Sequence, residues 1–154
     1  MTPTIWVDGD ACPNLIKTVL FRAAQKRQIH LLLVANHSLA TPSSRYIKAI
    51  RVNGGFDVAD DYIVEHLQAG DLAITGDIPL AAKVIAKQGF AINPRGEIYS
   101  TENIGEKLAM RDFMAGLRDN GLMSGGAAAM AAKDVQNFAN ALDRFLTTRL
   151  NITG

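Results

Sequence analysis

The chain is nearly without sulfur ligands: Cys12 is the single cysteine among 154 residues. That excludes an internal disulfide framework and a Cys-rich zinc site. Long apolar runs are missing too. Stretches such as Leu31 to Ala35 fall far short of the ~20 residues of a membrane helix, so no membrane partner is expected. No basic segment followed by an apolar one opens the sequence, so no secretory leader is read there, and a cytoplasmic location is the expectation. Charge of one sign is not in excess: the formal net charge of +1 argues neither for nor against a polyanion partner. His30, His37 and His66 share no ligand spacing and read as structural or surface side chains. No internal repeat appears. Present instead is apolar content of 48%, enough for one domain, 1–154, with a real core.

The hydrophobic pattern alternates. Residues 4–8 read as a buried strand ending in Asp8. Pro13 suits the first position of a helix, along which Ile16, Val19, Leu20, Ala23 and Ala24 recur to about Gln28. His30 to Ala35 is a second strand, and 36–44 a loop. Tyr46 to Val52 reads as a third strand, or as a short helix followed by one. Asp57 resembles a helix N-cap with Asp60 at the third helical position, in the manner of a capping box, and the helix runs to about Ala69. Leu72 to Thr75 is the fourth strand. Pro79 opens a helix that Gly89 ends. Phe90 to Asn93 is the fifth strand, followed by a Pro94-Arg95-Gly96 turn. Ser100 or Thr101 caps a helix reaching roughly Asn120. After a flexible-looking segment at 121–132, an amphipathic helix covers about 133–150, with Val135, Phe138, Leu142, Phe145 and Leu146 on its apolar face. The alternation predicts a three-layer α/β/α fold with a mostly parallel central sheet and right-handed crossovers. The two C-terminal helices then pack on its flank or over the site.

Chemistry is expected at the carboxyl ends of the parallel strands, where open α/β sheets bind ligands. Asp8 and Asp77 each follow an apolar run. Asp10 falls in the loop before the first helix. On the following helix, Ala59, Ile63 and Leu67 form the core stripe. Asp60 borders that stripe, whereas Asp61 aligns with Glu65 and Gln68 toward solvent. Acids gathered at one edge repel one another unless a cation or a proton intervenes. A divalent ion is therefore expected, and phosphodiester or phosphoryl chemistry is what such an ion usually serves. Thr75 offers a hydroxyl to a neighbouring carboxylate. Asn93 and Arg95 follow the fifth strand, and Arg95 is a candidate phosphate ligand, as is Arg111 more weakly. Arg45, Lys48 and Arg51 form a basic cluster; Lys17, Arg22, Lys26 and Arg27 form another that spreads over more than one helix face. Ser124-Gly125-Gly126 offers backbone amides to a phosphate. Cys12 has no evident base partner and reads as an inert buried thiol.

Four blocks carry a resemblance: Val7-Asp8-Gly9-Asp10-Ala11-Cys12-Pro13, Gly55-Phe56-Asp57-Val58-Ala59-Asp60, the run from Gly70 through Thr75-Gly76-Asp77 to Ala81, and Asn93-Pro94-Arg95-Gly96. In order and over nearly the whole chain they resemble the bacterial YaiI/YqxD family, thought to be a branch of the PIN-like superfamily of metal-dependent ribonucleases. The resemblance implies that Asp8, Asp60 and Asp77 hold Mg²⁺ or Mn²⁺. An RNA substrate is then expected, contacted by Thr75, Asn93, Arg95 and Arg51, with Asp10 orienting or deprotonating the attacking water. Asn93 stands where such nucleases carry a fourth acid, and Ala127 stands where the family favours Pro. Two other readings stay open. One is a phosphatase similar to the haloacid dehalogenases, with Asp8 as nucleophile and Asp10 as general acid. The other is a non-catalytic RNA- or protein-binding module. A homo-oligomer is compatible with each.

Overall fold

The computed structural model describes residues 2–55, 57–121 and 129–153. Eleven elements follow in the order β1 (Ile5–Asp8), α1 (Asn14–Arg27), β2 (Leu31–Ala35), β3 (Ile47–Arg51), α2 (Val58–His66), β4 (Leu72–Ile74), α3 (Ile78–Ala86), β5 (Phe90–Ile92), β6 (Ile98–Tyr99), α4 (Ile104–Asp119) and α5 (Ala132–Thr153). They build one sheet of order β3-β2-β1-β4-β5-β6. Every pairing is parallel except β5 with β6. The ambiguous stretch at 46–52 is therefore a strand, and β6 is an antiparallel addition that its two-residue length hid from the sequence reading.

Each strand faces both ways because side chains alternate. Ile5, Val7, Leu31, Leu33, Leu72 and Ile74 share one core cluster with α1 and α5. Trp6, Val34 and Ala73 share the other with α2 and α3. The result is three layers. The apolar face read for the last helix closes the first: Phe138, Leu142 and Leu146 are fully buried, each contributing roughly 1.5–3 kcal/mol of burial. Helix α4 buries no residue fully and packs beside α3.

Chain order and strand order diverge at β1, the central strand. From β1 the chain moves outward through β2 to β3, then crosses back to β4 on β1's other side. The carboxyl ends of β1 and β4 thus flank the switch point where such sheets open a crevice. The step from β2 to β3 carries no helix, contrary to strict alternation; residues 36–46 form a loop across the sheet edge.

Several boundaries differ from expectation. Pro13 is the N-cap of α1 rather than its first residue. Asp57 stands at the N-cap of α2 in the left-handed region, φ 63°, and its side chain makes no capping bond. The capping box is not formed, and α2 stops at His66, not Ala69. At α4 the N-cap is Asn103, not Ser100 or Thr101. Asn103 and Ser100 instead exchange bonds, Ser100 N–H to Asn103 Oδ1 at 2.8 Å and Asn103 N–H to Ser100 Oγ at 3.3 Å. Phe56, the Ser124-Gly125-Gly126 segment and Ala127 lie outside the described residues.

At the edge opposite the crevice, Asp71 is only 8% exposed. Its carboxylate accepts from Thr4 N–H at 3.0 Å, Trp6 Nε1–H at 3.1 Å and Gln68 N–H at 3.0 Å. The acid joins the starts of β1 and β4 to the end of α2. Asp71→Ala strands these donors, and bonds to an ionised acceptor contribute about 1.5–3 kcal/mol each. The expected loss is about 3 kcal/mol, or roughly 6–12 °C in a chain of this length. Thermal unfolding measures it; an unchanged melting temperature would refute the bolt.

Candidate functional site

Asp8 is the last residue of β1, and its position follows from register. Val7 pairs with Ile74, so the next step along both strands sets Asp8 beside Thr75. Thr75 is buried. Its Oγ1 accepts from Asp77 N–H at 3.0 Å and lies 3.5 Å from Asp8 Oδ2 as a long donor. Asp77 opens α3 as its N-cap, with Oδ1 accepting from Leu80 N–H at 2.9 Å. Asp8 is two residues from Trp6, which belongs to the α2/α3 side of the sheet. From α2 on that same side comes Asp60, half-buried, while Asp61 is exposed. The helical stripe separated these two neighbours correctly.

The charges register one another. Burial first, then the Asp77 and Asp10 carboxylates, raise the Asp8 carboxyl above its ordinary range, and the Thr75 hydrogen bond offsets part of this. Asp60 is pushed up to about 6, chiefly by burial and then by Asp77, Asp8 and Asp57; Lys83 on α3 opposes the shift. Repulsion reaches farther than ligation, however. Among the described residues, no three Asp, Glu, His or Cys side chains stand close enough to form a ready cage for an ion. The donors of Asp8, Asp60 and Asp77 are all oxygen, which suits the hard ions Mg²⁺ and Mn²⁺.

Asp10 is exposed and turned elsewhere. Its Oδ2 accepts from Asn36 N–H at 2.9 Å, and its Oδ1 stands 2.5 Å from His37 Nδ1. Both oxygens therefore hold the loop after β2. His37, read from sequence as structural or surface, proves to be the partner of a site acid; only proximity in the fold reveals that. Gly9 tightens the same junction, since a Cβ there would stand 2.7 Å from Leu39 Cδ1. Arg51 ends β3 at this edge, exposed, with Nη1 3.5 Å from Ser38 Oγ.

The fifth-strand candidates behave differently. Asn93 Oδ1 accepts from Arg95 N–H at 2.9 Å and Glu97 N–H at 3.0 Å, closing its own turn. Arg95 is bound to Asp134 of α5 at 2.6 Å, on the opposite side of the sheet from Asp60. Gly96, at φ +92°, lets this turn approach the Asn137 backbone, 2.7 Å from where a Cβ would be. Arg111 is exposed and pairs with Asp112. Cys12 is buried and its thiol is pushed up to about 12, mainly by burial, so it is inert at neutral pH. Sequence reading missed Lys83, the cation beside Asp60, because nothing in its spacing tied α3 to α2. It also missed Tyr99, a buried β6 phenol near enough to Asp77 to be affected by its charge.

The profile of the family described as "Uncharacterized BCR, YaiI/YqxD family" matches residues 6–148. A UPF0178 protein of Saccharophagus degradans is 58% identical, covering 95% of this chain and 97% of that one. A UPF0178 protein of Shewanella sp. strain MR-4 is 58% identical, over 92% and 95%. One of Herminiimonas arsenicoxydans is 58% identical, over 93% and 96%. No solved structure matches significantly.

Asp60 holds its proton more tightly folded than unfolded. Its effect on stability is therefore absent below the ordinary carboxylate value of about 4. It grows unfavourable as pH rises from there and is complete above about 6. Asp60→Asn is expected to stabilise the metal-free protein at pH 7.5 by on the order of 1 kcal/mol, after discounting for solvent screening of a half-exposed group, and to leave it unchanged at pH 4. Denaturant titration at the two pH values checks this; a loss of stability at pH 7.5 would contradict the repulsion.

Proposed function

We propose, for a chain that belongs to the YaiI/YqxD family, that it is a divalent-metal-dependent nuclease hydrolysing RNA phosphodiester bonds. The observation that supports this most is that the charges of Asp8, Asp60 and Asp77 reach one another beside the switch point, with Lys83 the cation that offsets the shift at Asp60. These carboxylates would hold Mg²⁺ or Mn²⁺, in part through water. Such an ion, when bound, supplies an activated water and neutralises charge on the phosphoryl oxygens.

The chain's own residues divide the remaining tasks. Thr75 ties Asp77's backbone to Asp8's carboxylate and so fixes the separation of two ligands. The α3 N-terminus, capped by Asp77, favours negative charge nearby, as does Lys83. Arg51 at the end of β3 is placed to bind a flanking phosphate. Asp10 is a positioning residue: using it as the base would break its bonds to Asn36 and His37. The same fact counts against a phosphatase in which Asp10 is the general acid, since that role needs a carboxyl facing the phosphate at Asp8. Asn93 and Arg95 shape the turn after β5, and the proposal gives them no substrate contact.

Cleavage of end-labelled RNA with Mn²⁺ is the test, run on Asp8→Asn and Asp77→Asn. Both variants are expected to lose cleavage. Asn caps a helix about as well as Asp, so Asp77→Asn should keep its melting temperature, whereas Asp77→Ala should lose about 1 kcal/mol as well. Full activity in Asp8→Asn would refute the assignment. Mn²⁺ binding with no cleavage of any RNA would leave a non-catalytic metal-binding module.

A further inference from the structure

Beside the acids runs a cleft that the proposed chemistry does not use. Asn14, Lys17 and Phe21 of α1 form one wall, at the i, i+3 and i+7 spacing of a single helix face. His37, Ser38 and Leu39 of the loop after β2 form the other. The cleft adjoins the site through the His37–Asp10 contact. Lys17 lines it, and a second cation adjoins it. The Lys17 ammonium is near enough to Cys12 to oppose the rise of its thiol. The Arg51 guanidinium reaches Ser38. Phe21 and Leu39 add apolar surface, and none of the described residues that line it is acidic.

His37 gives this cleft a chemical preference. Asp10, an acceptor, faces Nδ1, which fixes the proton of the neutral ring on Nδ1 and leaves Nε2 as an acceptor. An exposed acceptor calls for a hydroxyl donor, not a phosphate oxygen. In a polynucleotide, the ribose 2′-hydroxyl is such a donor, and it distinguishes RNA from DNA.

We infer that the cleft between α1 and the loop after β2 receives the nucleotide next to the scissile phosphate, with Lys17 on its phosphate and His37 Nε2 accepting from its 2′-hydroxyl. This rests on the nuclease reading for the site itself. It makes His37 a selector of RNA over DNA, Lys17 a sequence- and sugar-blind contact, and Asp10 the group that holds the selector in its tautomer.

Fluorescence anisotropy with an eight-nucleotide labelled oligouridine and its deoxy counterpart separates these roles, with Ca²⁺ replacing Mn²⁺ to prevent cleavage. Wild-type protein is expected to bind the RNA about three- to tenfold more tightly than the DNA, the ratio that one hydrogen bond exchanged with water supplies. His37→Phe, which keeps an aromatic ring, should bring the ratio to about one. Lys17→Ala should weaken both ligands equally and lower the salt slope by about one phosphate, while Lys17→Arg should retain binding. An RNA-to-DNA ratio that His37→Phe leaves intact, affinity that Lys17→Ala leaves intact, or no RNA binding at all would overturn the assignment. The outcomes are separable from the nuclease reading. Cleavage that persists with a ratio indifferent to His37 sinks the subsite alone, and binding with the expected pattern but no Mn²⁺-dependent cleavage sinks the nuclease alone.

Discussion

Like charges brought together at the sheet's switch point set the terms for the rest of this molecule. β1 and β4 are neighbours in space though 63 residues separate the end of one from the start of the other. Each ends or is followed by an acid. A contrast within the same strand pair shows what this means. At the amino edge, Asp71 is more deeply buried than Asp8, yet three N–H donors satisfy it. At the carboxyl edge, Asp8 has one long hydroxyl contact and faces other carboxylates. The same side chain thus serves as a bolt where donors surround it and as a source of strain where acids do. Folding tolerates the second arrangement because the sheet around it is over-determined by two apolar clusters.

Loop 36–46 is the second consequence of this topology. No helix joins β2 to β3 among the described residues. Without one, the chain lies across that edge and is held by Asp10, by Asn36 N–H and by the close approach at Gly9. The acid nearest Asp8 in sequence is therefore spent on architecture. A spacing of two residues therefore does not by itself set both carboxylates on one face: β1 ends at Asp8, and strand periodicity no longer governs where Asp10 points.

How legible the site was depends on which interactions carry it. Asp8, Asp77 and Thr75 were readable because strand ends and a helix start are written locally, as an apolar run followed by an acid and by a Pro. Asp60 was readable over Asp61 because helical periodicity assigns faces. Arg95 and Asn93 were misplaced because turn chemistry was read as surface availability. Asn93 satisfies its own turn, and Asp134, 39 residues away, claims the guanidinium. The Asp57 capping box failed for a backbone reason: a residue at φ 63° does not aim its side chain as an N-cap in extended backbone does. His37 and Lys83 were invisible because their partners come from other elements, and one sequence records no such pairing.

The acids also come from an arrangement that closes one side and opens the other. On the α1 and α5 side, Cys12, Ile16 and Phe138 continue the apolar core up to the strand ends, and the thiol there is too hard to ionise to take part. Access is left on the side of α2 and α3 and along the edge beyond β2. Two strand ends alone would set Asp8 and Asp77 in a row. Asp60, projecting from the helix layer above that row, supplies the direction out of the sheet. A third acid on β2 or β5 would only have lengthened the row. The crossover that returns the chain from β3 to β4 is thus more than a connection: by carrying α2 along this face, it brings Asp60 within reach of the charges of Asp8 and Asp77.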